Sequence, residues 1–162
     1  MNKKLVLYFS VYGTAKKVAE EIARQTGAYL TEIIPETPYD SNRDNYNALA
    51  AYAKKEHDED MRPAIKNDIN IADYDTIFIG YPMWWYTFPM IIYTLFDKYD
   101  FSGKTIIPFN THMGSHDGGT YDTIRELEPN ATVVMNGLPV EMKTAETGAA
   151  KQVEKWLKSL NI

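Results

Sequence analysis

The sequence contains no cysteine at any of its 162 positions. That absence excludes disulfides, thiolate metal sites, CxxC redox chemistry and a thiol nucleophile. Any electrons this protein moves must therefore travel on a bound cofactor. Long hydrophobic runs are missing too, and no stretch approaches the length needed to cross a bilayer. The N-terminal Met1–Phe9 starts like a secretory leader, with Lys3 and Lys4 ahead of Leu5–Phe9. Its apolar run is too short for a leader's hydrophobic region and no small-residue cleavage site follows, so a cytoplasmic location is expected. Clusters of Lys and Arg are also absent. With 17 Lys and Arg against 22 Asp and Glu the net charge is −5, and no attraction to nucleic acid or anionic membrane is expected. The phosphate-binding signatures GxxxxGK[ST] and GxGxxG do not occur.

What is present is ordinary in bulk and unusual in a few loops. Hydrophobic residues make up 44% and charged residues 24%, enough for one domain over residues 1–162 with a real core. Acid is concentrated: residues 36–75 hold ten of the 22 Asp and Glu against five Lys and Arg. That bias reads either as a solvated face or as a surface that steers a basic redox partner.

Leu5–Phe9 is a continuous apolar run rich in strand formers, as expected of a strand covered on both faces. Ala15, Val18, Ala19, Ile22 and Ala23 follow at helical spacing, and Gly27 suits the helix end. Residues 28–34 read as a second strand stopped by Pro35, completing a βαβ unit. A helix is expected over 42–60, then a strand over 76–79 and a helix opening at Pro89. A strand over 105–109 follows, although Pro108 lacks a donor. The remaining expectations are a short helix over 121–128, a fifth strand over 131–135 and a closing helix over 146–160. Trp156 belongs to the stripe Val153, Trp156, Leu157, Leu160 and reads as core. Strands alternating with helices predict a five-stranded parallel sheet covered on both faces.

In such a sheet, ligands sit above the carboxyl ends of the strands. Three loops there could carry chemistry. The first, Ser10-Val11-Tyr12-Gly13-Thr14-Ala15, runs into a helix N-terminus, where backbone N–H groups and the helix dipole can surround a phosphate. It is equally a plain N-cap. The second, Tyr81-Pro82-Met83-Trp84-Trp85-Tyr86, sets two of the three tryptophans side by side. They either stack on a flat ligand or fold back to cap the core. The third, residues 110–119, carries three glycines among small polar residues, so backbone can approach a ligand closely. His112 and His116 at four-residue spacing suggest a metal site, but Gly114 between them argues against the helix that would align them. A Ser115–His112–Asp117 hydrolase is disfavoured, since GxSxG is absent and sequence neighbours cannot assemble that geometry.

A phosphate cradle, an aromatic platform and a polar backbone clamp together suit a flavin mononucleotide. Ser-x-x-Gly-Thr at Ser10–Thr14, Pro-x-Trp-Trp at Pro82–Trp85 and Thr-His-x-Gly-Ser at Thr111–Ser115 resemble the short-chain flavodoxin family over essentially the whole chain. The resemblance implies a flavodoxin-like three-layer α/β sandwich with sheet order 2-1-3-4-5 and one non-covalently bound FMN. It implies that Ser10, Tyr12, Gly13, Thr14 and Ala15 hold the phosphate. Pro82, Met83, Trp84, Trp85 and Tyr86 would border the ring. Thr111, His112, Gly114, Ser115 and Gly119 would close its other side. The family's phosphate loop commonly reads Ser/Thr-x-Thr-Gly-Asn-Thr, and here Tyr12, Thr14 and Ala15 replace three of those residues. Many flavodoxins also place a glycine beside the flavin whose peptide can turn, whereas this chain has none between Gly80 and Gly103. Tyr86 stands where relatives often carry it and, as a non-glycine, should resist positive φ. Poorer stabilisation of the one-electron-reduced flavin is the expectation.

The function expected is that of an FMN-binding oxidoreductase or electron carrier, with a redox partner protein or a small acceptor such as a quinone. An NAD(P)H-dependent quinone reductase is the alternative within that class. No residue stands out as a general acid or base, although His112 could hydrogen-bond the ring. A phosphoacceptor receiver of the same topology needs acids where this chain has Phe9-Ser10 and Gly80-Tyr81. A flavin-less binding module of the same fold is the remaining alternative.

Overall fold

The apolar runs form a parallel sheet whose two faces are separated by the strand's own pleat. The computed structural model describes residues 3–162; of the leader-like start, only Met1 and Asn2 lie outside them. β1 (Lys4–Tyr8) is followed by α1 (Thr14–Thr26) and β2 (Tyr29–Glu32). A short 3₁₀ turn (Arg43–Asn45) leads into α2 (Tyr46–Asp58), β3 (Thr76–Pro82), α3 (Met90–Lys98), β4 (Thr105–His112) and α4 (Thr120–Leu127). The chain closes with β5 (Thr132–Val133), β6 (Leu138–Glu141), α5 (Met142–Thr147) and α6 (Ala150–Ser159). Every pairing between these strands is parallel, in the order β2-β1-β3-β4-β5, with β6 also on β4. This is the expected flavodoxin-like order.

Alternation along β1 sorts the core. Leu5, Leu7 and Phe9 face one cluster with Ile77, Ile79, Ile91, Leu95 and Ile124. Val6 and Tyr8 face the other, with Val18, Ile22, Phe78, Val153 and Trp156. Such two-sided burial is why the strands read as unbroken apolar runs. Trp156 packs edge-on against Phe78, and its indole N–H donates to Asn136 O at 2.8 Å. No helix among the described residues is long and apolar enough to cross a membrane.

Four elements depart most from the sequence expectation. The fifth strand is two segments rather than one over 131–135: while β4 advances from Ile106 to Phe109, the outer chain advances from Val133 to Leu138. The gap falls beside Pro108, which has no N–H to offer a ladder, and Gly137 passes so close to Pro108 O and the Tyr121 ring that a Cβ could not fit. The closing helix is likewise divided into α5 and α6 at Gly148, whose φ of 135° no helix accommodates. β3 and β4 each run further than expected, so Pro82, Thr111 and His112 are strand residues at the sheet's carboxyl edge.

Candidate functional site at the carboxyl edge of the sheet

The three loops singled out by the sequence follow β1, β3 and β4, which are neighbours in the sheet. In the first, Ser10 Oγ accepts from the Gly13 N–H at 3.0 Å, and Gly13 takes φ 90° to turn the chain into α1. The α1 N-terminus has no side-chain cap and no acidic residue in its first turn. Its leading N–H groups are the donors that a helix leaves unused, at the positive end of its dipole. Thr14 and Ala15 are buried, with Ala15 in the α1 face of the core. Beside this loop, a cavity of about 210 Å³ is walled by Phe9, Ser10, Glu32, Ile34, Pro38 and Tyr39.

The second loop is a two-residue hairpin. The Trp84 N–H donates to Thr87 O at 2.8 Å and the Thr87 N–H returns to Trp84 O at 3.1 Å. Its central residues, Trp85 (φ 49°) and Tyr86 (φ 65°), both lie in the left-handed region, the signature of a type I′ turn usually built from Asn and Gly. Tyr86 thus adopts the positive φ that a non-glycine residue is expected to resist. Each non-glycine residue there costs about 1–2 kcal/mol, so the surroundings must hold the turn. They do so through α2: the Trp85 indole N–H donates to Ala50 O at 2.8 Å, and Lys54 Nζ stands 5.7 Å from the Trp85 ring. The two tryptophans part ways. Trp84 folds back edge-on against Phe9 (5.5 Å between centroids) and Tyr39 (5.3 Å). Trp85 faces outward, 39% exposed, and Tyr86 is 83% exposed.

The third loop is held from below. Buried Tyr121 donates to Asn110 Oδ1 at 2.5 Å, and Asn110 Nδ2 donates to His116 O at 2.8 Å. Tyr81 Oη donates to Thr120 Oγ1 at 2.7 Å, and Thr120 Oγ1 donates to Asp117 O at 2.6 Å. Gly118 (φ 56°) sits where a Cβ would collide with Met83 Cε, so this loop and the hairpin touch. Gly114 N–H donates to His112 Nδ1 at 3.0 Å, which places the proton of neutral His112 on Nε2. Burial, then the nearby His116, hold the His112 pKa below its usual value. The two imidazoles do come together, 4.9 Å between centroids, without a helix to align them. No group of three or more His, Asp or Glu side chains that could hold a metal forms among the described residues. Ser115 is exposed, Met113 is 79% exposed, and Gly119 (φ 80°) immediately precedes α4.

Two hydroxyls in this region, Tyr12 Oη and Thr111 Oγ1, are buried and find no hydrogen-bond partner among the described residues. Thr111 is only 1% exposed, and a polar atom left so is costly. A polar ligand bound at these loops would supply the missing partners.

The segment over 39–56, which carries none of the motifs of the three loops, also reaches the site. Tyr39 Oη donates to the buried Glu56 carboxylate (2.8 and 3.0 Å) and packs against Phe9, Tyr52 and Trp84. Burial raises the Glu56 pKa, with the Tyr39 hydrogen bond opposing it. Arg43 lies 5.3 Å over the Tyr12 ring. The signal was there in three tyrosines spaced six or seven apart (Tyr39, Tyr46, Tyr52), hidden by a charge-rich context that reads as solvated.

The family model described as flavodoxin matches residues 3–160. Solved structures agree. A candidate flavoprotein of Bacteroides eggerthii is 32% identical, with 100% of this chain and 99% of that one covered and a TM-score of 0.83. One of Bacteroides uniformis is 30% identical over 97% and 98%, with a TM-score of 0.84. The fold is shared with a Lactobacillus acidophilus flavoprotein solved in complex with FMN, 24% identical over 91% and 98%, with a TM-score of 0.71. No curated protein matches the chain.

Proposed function

The chain belongs to the flavodoxin family, and from that premise we propose that it binds one FMN non-covalently at these three loops and serves electron transfer. The observation that carries this reading is the unpartnered, buried Thr111 hydroxyl at the end of β4, paired with Pro82 just before the hairpin. Ser10, Tyr12, Gly13, Thr14 and Ala15 hold the phosphate, chiefly through backbone N–H groups. Pro82, Met83, Trp84, Trp85 and Tyr86 border the ring on one side. Thr111, His112, Gly114, Ser115 and Gly119 close the other. Bound FMN supplies the redox chemistry, one or two electrons at a time. The protein supplies orientation and polarity, and the His112 Nε2–H is a neutral donor at the ring's edge.

The hairpin favours two-electron chemistry, as in a quinone reductase using a nicotinamide. Turning its central peptide would convert type I′ into type II′, which requires glycine at the first central position. Trp85 occupies that position and is tied to Ala50. The peptide is therefore fixed, for a reason different from the one the sequence suggested. Exposed Tyr86 and Met113 give a small planar acceptor or a protein partner an apolar rim to meet. The chain acts as a single cytoplasmic domain.

The test is a fluorescence titration of apoprotein with FMN. Quenching that saturates at one FMN per chain, and weakens about tenfold in Thr111→Val, supports the reading. No quenching in the wild type leaves a flavin-less binding module. Stepwise anaerobic reduction should then proceed in one two-electron step; two resolved steps favour the one-electron carrier.

A further inference from the structure

The phosphate loop carries no charged side chain of its own, from Ser10 through Ala15. A cation is instead brought to it from the far side of the sheet's edge. Arg43, at the start of the 3₁₀ turn, stands over the Tyr12 ring at 5.3 Å and pairs through Nη2 with Glu146 Oε1 at 2.7 Å. Glu146 belongs to α5, and its carbonyl accepts from Lys17 Nζ of α1 at 3.4 Å. The Arg43–Glu146 pair therefore closes over the beginning of α1, with Tyr12 beneath it.

We propose that Arg43 is the residue that reads the phosphate. It exchanges the Glu146 carboxylate for a phosphate monoester seated at the α1 N-terminus, and so selects FMN over flavins that lack the phosphate. This rests on the cofactor reading above. Both partners of the ion pair are more than a third exposed, and such a pair contributes little to stability, so releasing it costs little. A phosphate monoester carries more charge near neutral pH than a carboxylate and matches the planar guanidinium fork in geometry. The Tyr12 face keeps the guanidinium in place during the exchange. Tyr12 thus contributes an aromatic seat for a cation, where a small hydroxyl residue would give only one more hydrogen bond. Glu146 serves as the internal competitor.

The experiment compares dissociation constants for FMN and riboflavin in wild type, Arg43→Gln, Glu146→Gln and the charge swap Arg43→Glu/Glu146→Arg, with thermal melts confirming folding. Arg43→Gln should weaken FMN about tenfold, the size of a lost charge-assisted contact, and leave riboflavin unchanged. Glu146→Gln should tighten FMN by a few fold, because the competitor is gone. The swap restores the ion pair but should not restore the preference for FMN. The proposal is overturned if Arg43→Gln and Glu146→Gln weaken both flavins alike and the swap rescues them, since the pair is then only a strap. It is overturned as well if wild type binds FMN and Arg43→Gln binds it equally. Wild type that binds neither flavin overturns the cofactor reading itself.

Discussion

Two loops side by side at the same edge of the sheet are held in opposite ways. The loop after β4 is pinned from beneath, by Tyr121, Asn110, Tyr81 and Thr120, all buried in or against the core. The hairpin after β3 is held from above, by Ala50 on α2 and by the Tyr39 ring against Trp84. The first loop's position is part of the core's own stability. The second's depends on a separate, acidic segment lying over it. Local opening of the segment over 39–58 is therefore expected to release the aromatic platform while leaving the glycine-rich loop in place.

The largest effect that separates them is Asn110→Leu, which strands the buried Tyr121 hydroxyl and removes the donor to the His116 carbonyl. We expect a loss of about 3 kcal/mol, chiefly from the unpaired buried hydroxyl, read by urea denaturation, with the loop after β4 gaining hydrogen exchange. Next, Tyr39→Phe removes the donor that Glu56 has among the described residues. It should cost about 1–2 kcal/mol and raise exchange in the hairpin and α2 while the other loop stays protected. Equal exchange gains in both loops would erase the distinction.

The same pair gives the comparison a pH axis. Burial raises the Glu56 pKa above its ordinary 4.5, so the folded protein holds this proton more tightly than the unfolded chain. The stability it contributes is fully present below that ordinary value and is lost as pH rises through the raised one. Hairpin protection should fall over that interval in wild type and stay flat in Glu56→Gln. Tyr86→Gly relieves a left-handed non-glycine residue and should stabilise the protein by about 1 kcal/mol in thermal melts, with the loop after β4 unaffected. The smallest effect is a control at the end of α4. The Glu128 pKa is raised to about 7 by burial and by Asp100, so its contribution is lost between its ordinary 4.5 and about 7. Glu128→Gln should raise stability at pH 8 by less than about 1 kcal/mol, after allowing for solvent screening, and change neither loop.

How much of this was legible in the sequence follows from how local each cause is. The cores of β1 and β3 and the stripe of α1 are written in neighbouring residues, so apolar runs and helical spacing find them. The three loops were legible because glycines and paired tryptophans stand out within a few positions. The split outer strand was not, because its cause lies across the ladder, at Pro108, and in Gly137 pressed against Tyr121. Trp85 and Tyr86 carry no local preference for a type I′ turn; the geometry is imposed by Ala50, which lies 35 residues earlier. Arg43, Tyr39 and Glu56 reach the site only because α2 folds across it.

The interruption between β5 and β6 also bears on how the molecule behaves in a crowded solution. An open sheet border offers unpaired backbone groups to any other extended chain, the usual route to strand addition and aggregation. Here the border consists of one two-residue and one four-residue piece. α6 further occupies it, with the Trp156 indole on Asn136 O and Gln152 Nε2 reaching Pro139 O at 3.4 Å. The break that costs the sheet a continuous ladder leaves a neighbouring chain no continuous template along this border.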